Sequence, residues 1–371
     1  MPVNGLCMIH LTSVADLRAA ASDWDDLWQR SDVSRPLVRA ELLAQWVEHF
    51  CPWADFHALV VAQQSRWVAA LPLVSCRVGW LIPAAGLPCN DWAPCGDLLY
   101  DAAAANKDAA MDLILTAATA LPWHLLWLND AMPKTPRWQA LFQACDRAGI
   151  AAHYHRQCRV GRVEINQDWD AYQKRLARKH YQAMNRFARQ LASEGNLQFE
   201  ASSQLEEPKV EPWLREAFEV EDLGWKGRSG TSVLRTPGMF DFFAGQARQL
   251  AAWGQLETAD LRLDGRMLAF VYGFRGKGVC FTHKFSYDPR FAAFSPGQLL
   301  FYRMLERFHT DGETRAIDFM GPLTDSHLRW RPATYEVGRV AIAPQRLLGR
   351  VAMIAYENVW RRLRRKSVAF T

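Results

Sequence analysis

Although half of its 371 residues are hydrophobic, the chain has no run approaching the roughly 20 consecutive apolar residues of a membrane-spanning helix. It has no Cys-x-x-Cys pair either. The eight cysteines are scattered and read as reduced, small hydrophobic side chains, Cys89 and Cys95 flanking an irregular loop. His153 and His155 would share one face of a strand, but no cysteine or carboxylate pattern accompanies them, and no metal is expected. The opening Met1-Pro-Val-Asn-Gly-Leu-Cys lacks the basic and apolar regions of a secretory signal, so a cytoplasmic protein is expected. A formal charge of +5 is mild for this length and demands no nucleic acid.

What is present is patterned. Length suggests two domains. Leu261 to Phe274 carries Asp264-Gly265 between two apolar runs, a hairpin signal. A second turn at Gly276-Lys277-Gly278 leads into the β-rich run Val279 to Tyr287, and a loop then delivers Ser295-Pro296-Gly297-Gln298 to a helix start. Leu299, Leu300, Tyr302, Met304, Leu305 and Phe308 follow at helical spacing, and Ala316-Ile-Asp-Phe-Met320 reads as a buried strand. A loop opening onto a helix N-terminus offers free N–H groups and the positive end of the helix dipole, suited to a phosphate. An ordinary strand-to-helix connection reads the same locally.

The same order of strands, loop, helix and strand appears upstream. His57 to Ala62, Trp67 to Val74 and Gly79 to Ile82 are strand candidates, followed by an irregular stretch from Pro83 to Asp97, a helix, and the strand Trp123 to Leu128. The residues themselves show no convincing repeat. Between the halves, one helix is expected from about Asp168 to Ser193; at 100° per residue, Arg175, Arg178, Lys179, Arg186 and Arg189 form a basic stripe. The stripe suits a polyanion or a solvated face. Gly224-Trp225-Lys226-Gly227-Arg228-Ser229-Gly230 is expected as a mobile, electropositive loop able to close over a ligand. Leu347 to Phe370 reads as a basic amphipathic helix able to touch an anionic membrane.

Taken together, the hairpin, Tyr287-Asp288, Phe294-Ser-Pro-Gly297 with Leu299-Leu300, and Asp318-Phe319 with Gly321 resemble the acetyltransferase domain of FemAB-like and cellulose-synthesis-associated members of the GNAT superfamily. Glu221 to Thr231 and Arg175 to His180 share the resemblance, which covers roughly Trp169 to Ala343. It implies an α/β fold of two tandem GNAT-like lobes, mixed sheets flanked by helices, over 1–165 and 166–346, with the C-terminal helix over 347–371. It also implies transfer of an acyl group from acetyl-CoA or another acyl-CoA to an amine of a small molecule or glycan. Aminoacyl-tRNA is the alternative donor, and a non-catalytic binding protein in polysaccharide assembly the alternative role. Ser295, Pro296, Gly297, Gln298 and Phe285 would place the donor. Trp225, Lys226, Arg228, Arg178 and Lys179 would meet substrate. His283, Tyr287, Asp288, Asp318 and His327 are the proton-handling candidates. His327 stands where the family has a lysine three residues before its tryptophan, here Trp330; with a pKa near 6.5 a histidine there can act as a base, paired with Asp318.

Overall fold

The computed structural model describes residues 5–79 and 81–344, with Gly349, Val351 and Met353. The chain runs β1 (Leu6–Leu11), α1 (Val14–Ala19), α2 (Ala21–Arg30), α3 (Ala40–Phe50), β2 (Phe56–Gln63), β3 (Arg66–Val78), β4 (Ile82–Gly86), β5 (Leu99–Tyr100), α4 (Lys107–Ala120), β6 (Leu125–Ala131), α5 (Pro136–Ala148) and β7 (Ala152–Glu164). It continues with α6 (Trp169–Arg175), α7 (Arg178–Glu194), β8 (Leu197–Ser202), α8 (Glu207–Leu223), α9 (Trp225–Arg228), α10 (Met239–Ala252), β9 (Leu256–Leu263), β10 (Arg266–Gly276) and β11 (Val279–Tyr287). α11 (Pro296–Asp311), β12 (Ala316–Pro322), α12 (Asp325–Leu328) and β13 (Ala333–Ile342) complete it.

Two compact units result: 1–33 with 37–157 and 336–371, and 34–36 with 158–335. The divisions fall within β7 and β13, where the sequence suggested 165 and 346. In the first unit the strands run β1-β2-β3-β4-β6-β13, and only β4 and β6 are parallel. Leu59, Val61, Leu71 and Leu126 pack there with Met111 and Ile114 of α4 and Trp138 of α5. In the second unit the order is β7-β12-β11-β10-β9-β8, again with one parallel pair, β11 and β12. Met184, Leu191, Leu299, Leu300 and Met304, from α7 and α11, cover one face of this sheet. Phe218 of α8 and Phe243 of α10 meet the rings of Phe270 and Tyr272 on β10, edge-on.

Each unit thus has a run of four antiparallel strands and a parallel partner that follows a helix. The turns explain the order. Asp264 and Gly265 have φ of 51° and 80°, and Lys277 and Gly278 have 50° and 75°, the left-handed pairs that tight hairpins need. The helix expected over 168–193 is broken: Leu176 and Ala177 adopt extended ψ of 150° and 128°, which ends α6 and buries Leu176 in the core. The expected loop at 224–230 holds the single turn α9. β1 and β13 were not anticipated. The C-terminal helix lies outside the described residues, apart from the three positions named above.

Candidate active site

The site begins where two strands part. β11 and β12 pair at Val279↔Ala316, Cys280↔Ile317 and Phe281↔Asp318, and no further. Beyond that point β11 bulges, with Tyr272 facing Lys284 and Gly273 facing Thr282, so His283 is the extra residue. β12 bulges too, placing Met320 at φ 57° and three residues between the pairs Asp318↔Arg162 and Pro322↔Val160. The β11 edge from His283 to Tyr287 therefore has no β12 partner, and its backbone groups face the gap. β4 and β6 of the first unit also pair at only three positions. There, however, the chain after β4 is drawn into the core: Leu87, Ala93, Cys95 and Leu98 are buried, and buried Asp97 is held by Arg137 at 3.0 and 2.8 Å. At the end of β11, by contrast, Phe285 and Tyr287 are exposed.

Charged groups collect at the parting. Asp318 is buried and accepts from the Tyr335 hydroxyl at 2.9 and 2.8 Å and from the Met320 N–H at 2.8 Å. Burial raises its pKa, against the Met320 and Tyr335 hydrogen bonds and the positive charges of Arg162 and Arg35. The His283 ring lies 5.5 to 5.9 Å from those of Phe243, Tyr272 and Phe274, and its Nε2 is buried without a partner. Burial lowers its pKa well below the ordinary value, and the charges of Lys284, Lys226 and Arg35 add to this. Both effects favour the neutral imidazole. Lys284 is buried with its Nζ 4.8 Å from the centre of Phe243.

The proton-handling candidates separate by their partners. Asp288 is fully buried, caps the turn after β11 through the Arg290 N–H, and is ion-paired to Arg266 and Arg290, each at 2.7 Å. That is a structural task. His327 does not pair with Asp318 among the described residues. Its Nδ1 accepts from the Thr324 N–H at 3.4 Å while Thr324 Oγ1 accepts from the His327 N–H, a capping box. An Nδ1 used as acceptor puts the ring proton on Nε2, so taking up a proton at Nδ1 would break the capping box. The ring stacks on Phe319 at 4.3 Å, and burial lowers its pKa, opposed by a hydrogen bond to the Pro322 backbone; the raised value expected from an Asp318 pair is not found. Tyr287 is exposed and His283 unpartnered at Nε2.

The donor-site candidates adjoin the open edge. Ser295 takes φ 46° to turn the chain into α11, whose first turn has Pro296 and no side-chain cap, leaving N–H groups for a ligand. Gln298 holds a buried Oε1 with no partner, which points to a donor missing from the protein. A Cβ on Gly297 would sit 2.5 Å from Phe285 Cζ, so only glycine lets the exposed Phe285 ring lie against this turn.

The remaining candidates are dispersed in role. Trp225 is exposed, Lys226 is paired at 2.6 Å with buried Glu221, and Arg228 is exposed at the end of α9. Glu221 also accepts from the Val233 N–H, tying α8 to the turn after α9. Arg178 and Lys179 are exposed on α7. Sequence reasoning missed Arg35, Arg162, Glu221 and Tyr335. For Arg35 no local pattern could have served, since it reaches this unit from a three-residue segment. Glu221, five residues before Lys226, could have been found as an ion-pair partner.

The second unit is thus a mixed α/β fold with an open strand edge beside a helix N-terminus. Residues 178–329 match the family model described as an acetyltransferase (GNAT) domain, and they lie within the second unit. That unit is an acyltransferase domain. Similar solved structures include FemX, 12% identical with a TM-score of 0.60 over 91% of this chain and 98% of that one. L-PGS from Bacillus licheniformis is 13% identical, with a TM-score of 0.53 over 91% and 95%. At such identities the likeness is one of fold, and it spans both units. No curated protein matches the chain. The two units repeat one strand order, and over both of them the fold is like that of FemX.

Proposed function

We propose that the second unit transfers an acyl group from acyl-CoA, acetyl-CoA being the simplest, to the amine of a small molecule or glycan precursor. The observation that carries this reading is the unpaired β11 edge leading to an uncapped α11 N-terminus with the orphaned Gln298 Oε1. The pantetheine arm of CoA carries two amides that match a strand edge, and its pyrophosphate matches a helix N-terminus. The acceptor nitrogen attacks the thioester carbonyl carbon, the C–S bond breaks, and CoA leaves as the thiolate. Backbone N–H groups of β11 stabilise the oxyanion. His283 is the proposed proton acceptor: it is neutral, Nε2 is unpartnered, and the nearby cations favour passing the proton on. For the acceptor, an amino sugar or polysaccharide precursor is what the sequence resemblance to cellulose-synthesis-associated proteins implies.

Aminoacyl-tRNA is the second reading for the donor. It is favoured by Arg178, Lys179, Arg186 and Arg189, which make no ion pair among the described residues of α7. Thermal melts with free CoA and with aminoacyl-tRNA separate the two. A melting temperature that climbs with CoA concentration supports the first. Stabilisation by aminoacyl-tRNA alone, lost when Arg178, Lys179 and Arg186 are changed to Glu, transfers the conclusion to the second.

A further inference from the structure

Trp330 is buried where three helices of the second unit meet. The Tyr172 hydroxyl of α6 donates to its carbonyl at 2.7 Å, the His180 ring of α7 meets its indole edge-on at 4.6 Å, and the Phe301 ring of α11 lies 5.2 Å from it. The chain around these contacts is cationic. Arg329 and Arg331 flank Trp330, Arg175 ends α6, and Arg178 and Lys179 open α7. All five are exposed, and none forms an ion pair among the described residues. Asp325, four residues before Arg329, does not pair with it.

Left to itself this arrangement is unfavourable. The first turn of α7 has no acidic residue and no side-chain cap, so Arg178 and Lys179 stand at the positive end of the helix dipole. Burial lowers the His180 pKa and the charge of Arg329 lowers it further, while the buried His180 Nε2 has no partner. Arg331 holds a left-handed φ of 52°. A multiply charged anion at this corner would relieve the repulsion among the cations. The corner also adjoins α11. Phe301 lies one turn beyond Gly297, and Phe294, just before that helix, packs against the same core as Tyr181 and Phe187 of α7.

We propose that Arg329 and Arg178, with their cationic neighbours, hold the ribose 3′-phosphate of CoA, so that the domain selects CoA over dephospho-CoA. This rests on acyl-CoA being the donor. With the pyrophosphate at the first turn of α11, the 3′-phosphate is one ribose away, and as a phosphate monoester it carries about −1.5 to −2 charge at neutral pH. A polyribonucleotide would draw as well on Arg186 and Arg189, further along α7.

Calorimetric titration of CoA and of dephospho-CoA into the full chain tests this. Wild type should bind CoA about tenfold or more tightly than dephospho-CoA. Arg178→Gln combined with Arg329→Gln should bind the two alike, near the wild-type affinity for dephospho-CoA, and melt close to wild type because neither side chain has an ion pair to lose. Arg329→Gln alone should reduce the preference a few-fold, and Arg186→Gln with Arg189→Gln should leave it intact. If wild type binds both nucleotides equally, the 3′-phosphate assignment fails while CoA stands as donor; if wild type binds neither, CoA fails as donor and the assignment with it. A preference retained by the Arg178/Arg329 variant, or lost in the Arg186/Arg189 variant, also overturns the proposal.

Discussion

The Tyr335 hydroxyl reaches both carboxylate oxygens of Asp318, at 2.9 and 2.8 Å, at the residue where β12 stops pairing with β11. Together with the Met320 N–H on Oδ1, it satisfies a buried carboxylate whose neighbours include Arg162 and Arg35. Tyr335→Phe leaves that group short of a donor and should cost about 1–3 kcal/mol in chemical denaturation.

Asp318 also sets a pH dependence. Burial raises its folded-state pKa, so the native protein holds this proton more tightly than the unfolded chain. Its contribution is therefore full below the unfolded carboxyl value near 4 and is lost as pH rises through the raised folded value. Compared with wild type, Asp318→Asn should show a flatter stability profile on the acid side of neutrality; parallel profiles would assign the slope to other groups.

His283 contributes with the opposite sign. Its folded pKa is depressed by burial and by Lys284, Lys226 and Arg35, so below about pH 6.5 the unfolded chain binds a proton that the native one refuses. Stability from this source is present above that value and lost as pH falls towards the folded pKa. His283→Gln should lose less stability than wild type on moving from neutral to mildly acidic buffer. Once an acceptor is identified, the same variant should slow turnover roughly a hundredfold or more, the usual consequence of losing a proton acceptor.

His327→Gln separates a capping role from a catalytic one. Glutamine is a usual residue at the third position of a capping box, so the Thr324 contacts have a replacement. We expect a melting temperature close to wild type and turnover within a few-fold of it. A hundredfold loss of turnover with an unchanged pH dependence of stability would restore His327 as a base.

Much of this was legible in the residues. Asp264-Gly265 and Lys277-Gly278 adopt the left-handed turns that their types favour, which fixes β9, β10 and β11 as neighbours. Pro296 opens α11 as its missing N–H allows. The single helix over 168–193 failed because helical periodicity persists across Leu176-Ala177 even though the backbone there is extended. Asp288 and His327 looked catalytic because their types and positions suited it; the partners that occupy them, Arg266 and Arg290 for one and Thr324 and Phe319 for the other, are set by tertiary contacts. Tyr335 lay in a strand that sequence reading did not assign, and Arg35 lies far from the rest of its unit in sequence.

The central claim is that the first turn of α11 holds the phosphates of an acyl-CoA donor. Gly297→Glu is a poor probe, because any side chain there meets Phe285. Gln298→Glu is better: a carboxylate in the first turn favours the helix dipole, so the variant should stay folded, while it repels a phosphate at the same place. Calorimetric titration of acetyl-CoA into wild type and Gln298→Glu should show binding to wild type and about tenfold or weaker binding to the variant, at similar melting temperatures. No binding to wild type, or equal affinity in the two proteins, would contradict the claim.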